Sequence, residues 1–160
     1  MKLEKLISGI TTKHIIGETS IEITGINIDS RAIENGHVFV AVKGTQTDGH
    51  TFIEKAIEKG ASAIICEDFP TNIIEKATYI QVSNTEDIVG ELATRFYGNP
   101  TSQLKLVGVT GTNGKTTTAY LTSQMLRKLN IDNAYIGIIG FYINNELIKD
   151  ALIKTLLVYL

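Results

Sequence analysis

Residues 106–126 read LVGVTGTNGKTTTAYLTSQML, and the fold turns on the change of period inside this stretch. It opens as a short apolar run, and Thr118, Leu121, Met125 and Leu129 then share one face of a helix. Between the two lie Gly111, Thr112, Asn113, Gly114, Lys115, Thr116 and Thr117, with almost nothing to bury. A strand, here Leu104–Val109, that ends in a glycine-rich turn and feeds a helix aims several backbone N–H groups at one point. The helix N-terminus adds partial positive charge, so an anion is favoured there. Gly111 and Gly114 let the backbone approach that anion and take positive φ. Lys115 can reach the β- and γ-phosphates of a nucleotide, which makes it the candidate catalytic residue, and the Thr116 hydroxyl is the candidate ligand for Mg²⁺. The plain alternative is a glycine-rich turn with a solvated lysine; the flanking strand and helix favour the nucleotide. Thr117 and Thr118 start the helix. The general phosphate-loop pattern has a glycine five residues before Gly114, but Val109 stands there, with Gly108 one residue too early.

Working toward the N-terminus, strands and helices alternate, which predicts an α/β fold. Ile21–Ile28 alternates as a half-buried strand and His37–Val42 is a second β-rich run. Thr51–Gly60 places Phe52, Ile53, Ala56 and Ile57 on one helical stripe and stops at Gly60. Strands near Ala63–Cys66 and Thr78–Val82 follow. Ser83-Asn84-Thr85-Glu86 has capping-box spacing ahead of a helix with Ile88, Val89, Leu92, Ala93 and Phe96 on one face. Gly98-Asn99-Pro100 breaks the pattern, so the expected domains are 1–100 and 101–160. Beyond the opening stretch, Ala134–Ile139 reads as a strand, and Asn144-Asn145 is placed to turn a hairpin.

Fifteen basic against 17 acidic residues, with no basic stripe interleaved with aromatics, argue against nucleic-acid binding. The longest apolar runs, such as 135–143, reach about half of the ~20 residues of a membrane-spanning helix. The start lacks the pattern of a secretory signal, and the lone Cys66 fits a reducing compartment, so a cytoplasmic location is expected. Cys66 lies in a strand-like run and reads as a buried structural thiol. His14 and His37 have no metal-ligand spacing, and His50 reads as a capping or loop-packing residue.

The run Thr110-Gly111-Thr112-Asn113-Gly114-Lys115-Thr116-Thr117 resembles the phosphate loop of the Mur ligase family, the ATP-dependent amide ligases of peptidoglycan synthesis and their relatives. Its second half is common to many NTPases; the Gly-Thr-Asn start is more selective. Residues 28–67 resemble the uridine-nucleotide-binding domain of two branches of that family. One branch adds the third residue to UDP-N-acetylmuramoyl-L-alanyl-D-glutamate, and the other adds D-alanyl-D-alanine. Asp29-Ser30-Arg31, Phe39–Ala41 and Asp48-Gly49-His50 with Phe52 carry this likeness, and Asn113 resembles the third-residue branch.

The resemblance implies a small N-terminal uridine-nucleotide-binding α/β domain, followed by the start of a P-loop α/β domain. It implies ATP and Mg²⁺ at the phosphate loop and places Ile28, Ser30, Thr45, Gln46 and Thr47 near the UDP group. Asp29 and Arg31 read from the residues as a local salt bridge, so Arg31 is left as structural. The family reaction transfers the γ-phosphoryl group of ATP to a carboxylate, and the amine of a free amino acid then attacks the acyl phosphate. L-Lysine and meso-diaminopimelate both remain open, as do the D-alanyl-D-alanine branch and a non-catalytic nucleotide-binding module. A full-length relative is expected to be monomeric. The end, Leu152–Leu160, departs from the family's substrate loop, so the chain itself is expected to be an inactive fragment. Leu121, Met125, Leu129 and the tail Leu156–Leu160 are accordingly expected to be exposed.

Overall fold

The computed structural model describes residues 1–44 and 47–150. The chain divides into two compact units, Met1–Asn99 and Pro100–Leu160. In the first, helix α1 (Leu3–Leu6) precedes strands β1 (Thr12–Ile16), β2 (Gly25–Asn27) and β3 (His37–Val40). Helix α2 (Ile53–Glu58), strands β4 (Ala63–Cys66) and β5 (Thr78–Val82) and helix α3 (Thr85–Phe96) follow. The sheet order is β1-β5-β4-β3-β2, with β2 to β5 parallel and β1 antiparallel at the β5 edge.

Register and side-chain alternation together build the two cores. Val38 pairs with Ala63 and Val40 with Ile65, and these face Leu3, Leu6, Ile23 and Leu92 on one side of the sheet. Phe39 pairs with Ile64 and Ile64 with Tyr79, and these face Ile53, Ala56 and Ile57 of α2 on the other. Both faces of the parallel strands are therefore covered, which is why β4 is buried at every position. Cys66 sits in the second core, as its strand-like setting implied.

Several expectations are corrected. The strand expected over Ile21–Ile28 shrinks to Gly25–Asn27, because Ile23 N donates to Met1 O and Thr24 N to Gly36 O, outside the ladder. Phe52 leaves the helical stripe: it lies in a 3₁₀ turn (Gly49–Phe52) and is exposed, while Ile53, Ala56 and Ile57 are buried. The α3 cap is Asn84, whose side chain accepts from Glu86 N and Asp87 N. A capping-box glutamate is replaced by a distant one, since Glu67 Oε1 accepts from Thr85 N at 3.0 Å. The motifs quoted above did not single out α1 or β1.

The second unit has a 3₁₀ turn (Pro100–Gln103), helix α4 (Lys115–Lys128) and a meander of β6 (Ala134–Gly137), β7 (Gly140–Ile143) and β8 (Glu146–Lys149). The strand expected at Leu104–Val109 is absent. No described strand pairs with this segment, and an extended run without a ladder partner leaves its N–H and C=O groups to water. Only Val109 is drawn in, packing with Ala119, Tyr120, Tyr135 and Tyr142. The Asn-Asn hairpin is present, with φ of 49° at Asn144 and 73° at Asn145, the left-handed pair that a tight two-residue turn requires. Leu121, Met125 and Leu129 are 54%, 66% and 66% exposed, in line with the expectation. The small residues Ala119 and Ser123 form the buried face of α4 instead. The tail Leu156–Leu160 lies outside the described residues.

Candidate phosphate loop and uridine-nucleotide groove

In the second unit the chain bends over Gly111–Gly114 and becomes helical at Lys115. Gly111 has φ 144° and Gly114 φ 78°, so both glycines use backbone conformations that other residues adopt only under strain. The first helical bond is Thr118 N to Gly114 O at 2.8 Å. The N–H groups of Lys115, Thr116 and Thr117 thus have no carbonyl one turn back, and no side chain caps them. These donors, at the positive end of a 14-residue helix, have the arrangement that favours an anion.

Lys115 is held by its own loop. The Lys115 ammonium folds back and donates to Gly111 O, and to Thr112 O at 3.3 Å, leaving the residue half-buried. Two carbonyls of the phosphate loop are thus its acceptors. Thr116 lies in the first turn of α4, and no hydrogen bond engages its hydroxyl among the described residues. No cluster of three His, Cys, Asp or Glu side chains occurs among the described residues. One hydroxyl nevertheless fits Mg²⁺, which keeps several waters and takes the rest of its shell from nucleotide phosphates.

In the first unit, a groove of about 570 Å³ opens where the loop after β2 meets the loop after β3. Ile28, Ser30 and Thr47 all line it, although Ser30 and Thr47 are separated by the whole of β3. Thr45 and Gln46 lie outside the described residues. The loop is held by close packing: Gly49 N donates to Val42 O at 2.9 Å, and a Cβ at Gly49 would come within 2.7 Å of that oxygen. Asp48 Oδ1 accepts from His50 N at 2.9 Å and lies 2.6 Å from His50 Nδ1. His50 Nε2 accepts from Glu67 N at 2.9 Å, so the proton sits on Nδ1, and the ring ties the groove loop to the end of β4. This is the loop-packing role read from the sequence.

Asp29 and Arg31 form the local pair expected of them. Arg31 Nη2 donates to Asp29 Oδ2 at 2.8 Å and Nε to Oδ1 at 3.0 Å, while Asp29 Oδ1 also accepts from Arg31 N. These bonds hold the Asp29 carboxyl down to about 2. Val42, Gly44, Gly49, Phe52 and Lys55 complete the lining. Sequence reasoning did not place Phe52 or Lys55 in a site, because Phe52 completed an apolar stripe and Lys55 looked like any surface residue of α2.

Comparison with known proteins agrees with both halves. Residues 22–97 match the Mur ligase family, catalytic domain, and residues 109–156 the Mur ligase middle domain. The chain is 62% identical over 148 residues to the UDP-N-acetylmuramoyl-L-alanyl-D-glutamate--2,6-diaminopimelate ligase of Phocaeicola vulgatus, covering 92% of this chain and 31% of that one. It is 52% identical to the ligase of the same name from Bacteroides fragilis, covering 92% and 30%. The chain therefore spans about a third of the length of these relatives. A solved UDP-N-acetylmuramoyl-L-alanyl-D-glutamate--2,6-diaminopimelate ligase superposes with a TM-score of 0.68 at 25% identity, over 92% of this chain and 29% of that one. The MurF structure from Acinetobacter baumannii gives 0.61 at 27%, over 80% and 28%. With two matching domains, a phosphate loop of this form and relatives so similar, the chain belongs to the Mur ligase family.

Proposed function

We propose that these residues form the uridine-nucleotide half-site and the phosphate loop of a ligase that adds 2,6-diaminopimelate to UDP-N-acetylmuramoyl-L-alanyl-D-glutamate in peptidoglycan synthesis. The observation that carries this reading is the cradle of uncapped N–H groups at Lys115–Thr117 behind two positive-φ glycines. The 62% identity to a 2,6-diaminopimelate ligase favours that amino acid over L-lysine and over the D-alanyl-D-alanine branch.

In this reading the groove beside Ser30 and Thr47 seats the uridine end of the substrate, and the loop seats ATP with its phosphates on the N–H cradle. Lys115 exchanges the carbonyls of Gly111 and Thr112 for phosphate oxygens and stabilises charge on the phosphoryl group as it moves to the substrate carboxylate. Thr116 gives one oxygen to Mg²⁺, which offsets phosphate charge when bound. The amine of the amino acid then displaces phosphate to close the amide.

The test joins residues 1–148 to the remainder of the Phocaeicola vulgatus ligase and follows phosphate release. The expected result is turnover that requires ATP, UDP-N-acetylmuramoyl-L-alanyl-D-glutamate and 2,6-diaminopimelate together, and that falls by about 10²-fold or more in Lys115→Ala. Release with L-lysine or D-alanyl-D-alanine instead would overturn the amino-acid assignment. A chimera that folds but binds neither nucleotide would overturn the whole reading.

A further inference from the structure

The groove of the first unit holds three charged side chains: Asp29, Arg31 and Lys55. Two of them satisfy each other. Arg31 spends Nε and Nη2 on the Asp29 carboxylate, and Asp29 is left with little charge to offer a third group. The neighbouring Lys59 is also engaged, donating from Nζ to Arg31 O at 2.6 Å. Lys55 is different. It is exposed on α2, it lines the groove, and its ammonium has no hydrogen bond or ion pair among the described residues. The cations that act on Asp29 are Arg31 and Lys59, so Lys55 is not neutralised through it. Among the described lining residues, Lys55 therefore carries a positive charge that no partner compensates, in the same groove as Ser30 and Thr47.

An unpaired ammonium on a groove wall is a point charge with three rotatable donors, suited to a phosphate rather than to a base or sugar. A helix places it: Ile53, Ala56 and Ile57 anchor α2 in the core, which holds Lys55 on the outward side without using its charge. We infer that Lys55 is a further binding residue of this chain, whose ammonium meets the diphosphate of the nucleotide seated in the groove. The inference rests on the uridine-nucleotide reading above and adds to it the residue that recognises the anionic part.

Calorimetric titration of the 160-residue chain with UDP and with uridine tests both. Lys55→Ala is expected to weaken UDP about fivefold, the range of one partly solvated charge contact, and to leave uridine unchanged. Lys55→Arg restores UDP binding, and the affinity of Lys55→Ala for UDP falls less steeply with added salt than that of the unsubstituted chain. Because Lys55 is exposed, the thermal transition is expected to stay in place. Equal affinity of the Ala variant and the unsubstituted chain for UDP, or an equal loss for uridine, overturns the inference while the groove reading stands. Binding of neither ligand to the unsubstituted chain at millimolar concentration overturns the groove reading, and the inference with it.

Discussion

At the scale of single residues, charge and burial settle what each polar side chain does. Burial pushes the Cys66 thiol up to about 12, with the nearby Asp68 carboxylate adding to it. Thiol reagents are expected to leave Cys66 unmodified at pH 8 and to react only once denaturant opens the domain; prompt labelling of the native chain would show that the second core is open. Asp29 shows the opposite shift. Its folded carboxyl titrates at about 2 against an ordinary 3.8, so the ionised form is the one favoured by folding. The stabilisation from the Arg31 fork is then complete above about 3.8 and is lost as pH falls through about 2. Carboxyl chemical shifts followed by NMR should show that low midpoint in the native chain and a higher one in Arg31→Ala, which keeps only the bond from the residue-31 N–H and the nearby Lys59. A native midpoint near 3.8 would mean the fork is not held in solution.

At the scale of elements, what matters is which partner each helix and strand finds. Arg95 on α3 donates from Nη1 to Leu6 O and Ser8 O and from Nη2 to Glu91 Oε1, which ties α3 to the end of α1. Arg95→Ala removes a charged donor from two carbonyls and is expected to cost about 1.5–3 kcal/mol, read as a lower urea midpoint at unchanged slope. In the second unit the Asn144-Asn145 turn is tied to its surroundings, with Asn144 Oδ1 accepting from Asn133 N at 2.9 Å and Asn144 Nδ2 donating to Asp132. Asn144→Ala loses these bonds and the tolerance of left-handed φ together. It should lower the midpoint of that unit more than Asn144→Gly does, because glycine keeps the turn geometry.

At the scale of the whole chain, two compact units meet at Asn99 and Pro100 in sequence, and the segment that follows is exposed and irregular. Trypsin is expected to cut first at Lys105, which lies in that segment, and the groove beside Ser30 and Thr47 should be retained by the N-terminal product. Cleavage first at Lys55 or Lys59 would contradict the packing of α2. The exposed stripe Leu121, Met125 and Leu129 is covered by no described element, so the chain is expected to associate as its concentration rises. Sedimentation should show this association reduced by Met125→Lys. The 160-residue chain is also expected to bind ATP without turning it over, since catalysis requires phosphate, carboxylate and amine to be held together. Steady phosphate release by this chain alone would refute that.

Local chemistry was enough to read the loop, the apolar strands and the punctuating glycines. Gly111 and Gly114 announce positive φ, Ala63–Cys66 is too apolar to have a wet face, and Asn144-Asn145 is placed to turn a hairpin. These depend on a residue and its near neighbours, and the same holds for the loop's likeness to its family. What depends on partners far along the chain was decided by the tertiary structure. Leu104–Val109 has a strand's composition but no described ladder to join, Phe52 has a core residue's side chain but turns into the groove, and Glu67 caps a helix 18 residues away. Lys55 belongs with these. Its charge is visible in the sequence, but its place on the groove wall, beside loops that lie before and after β3, is set only by the folded sheet.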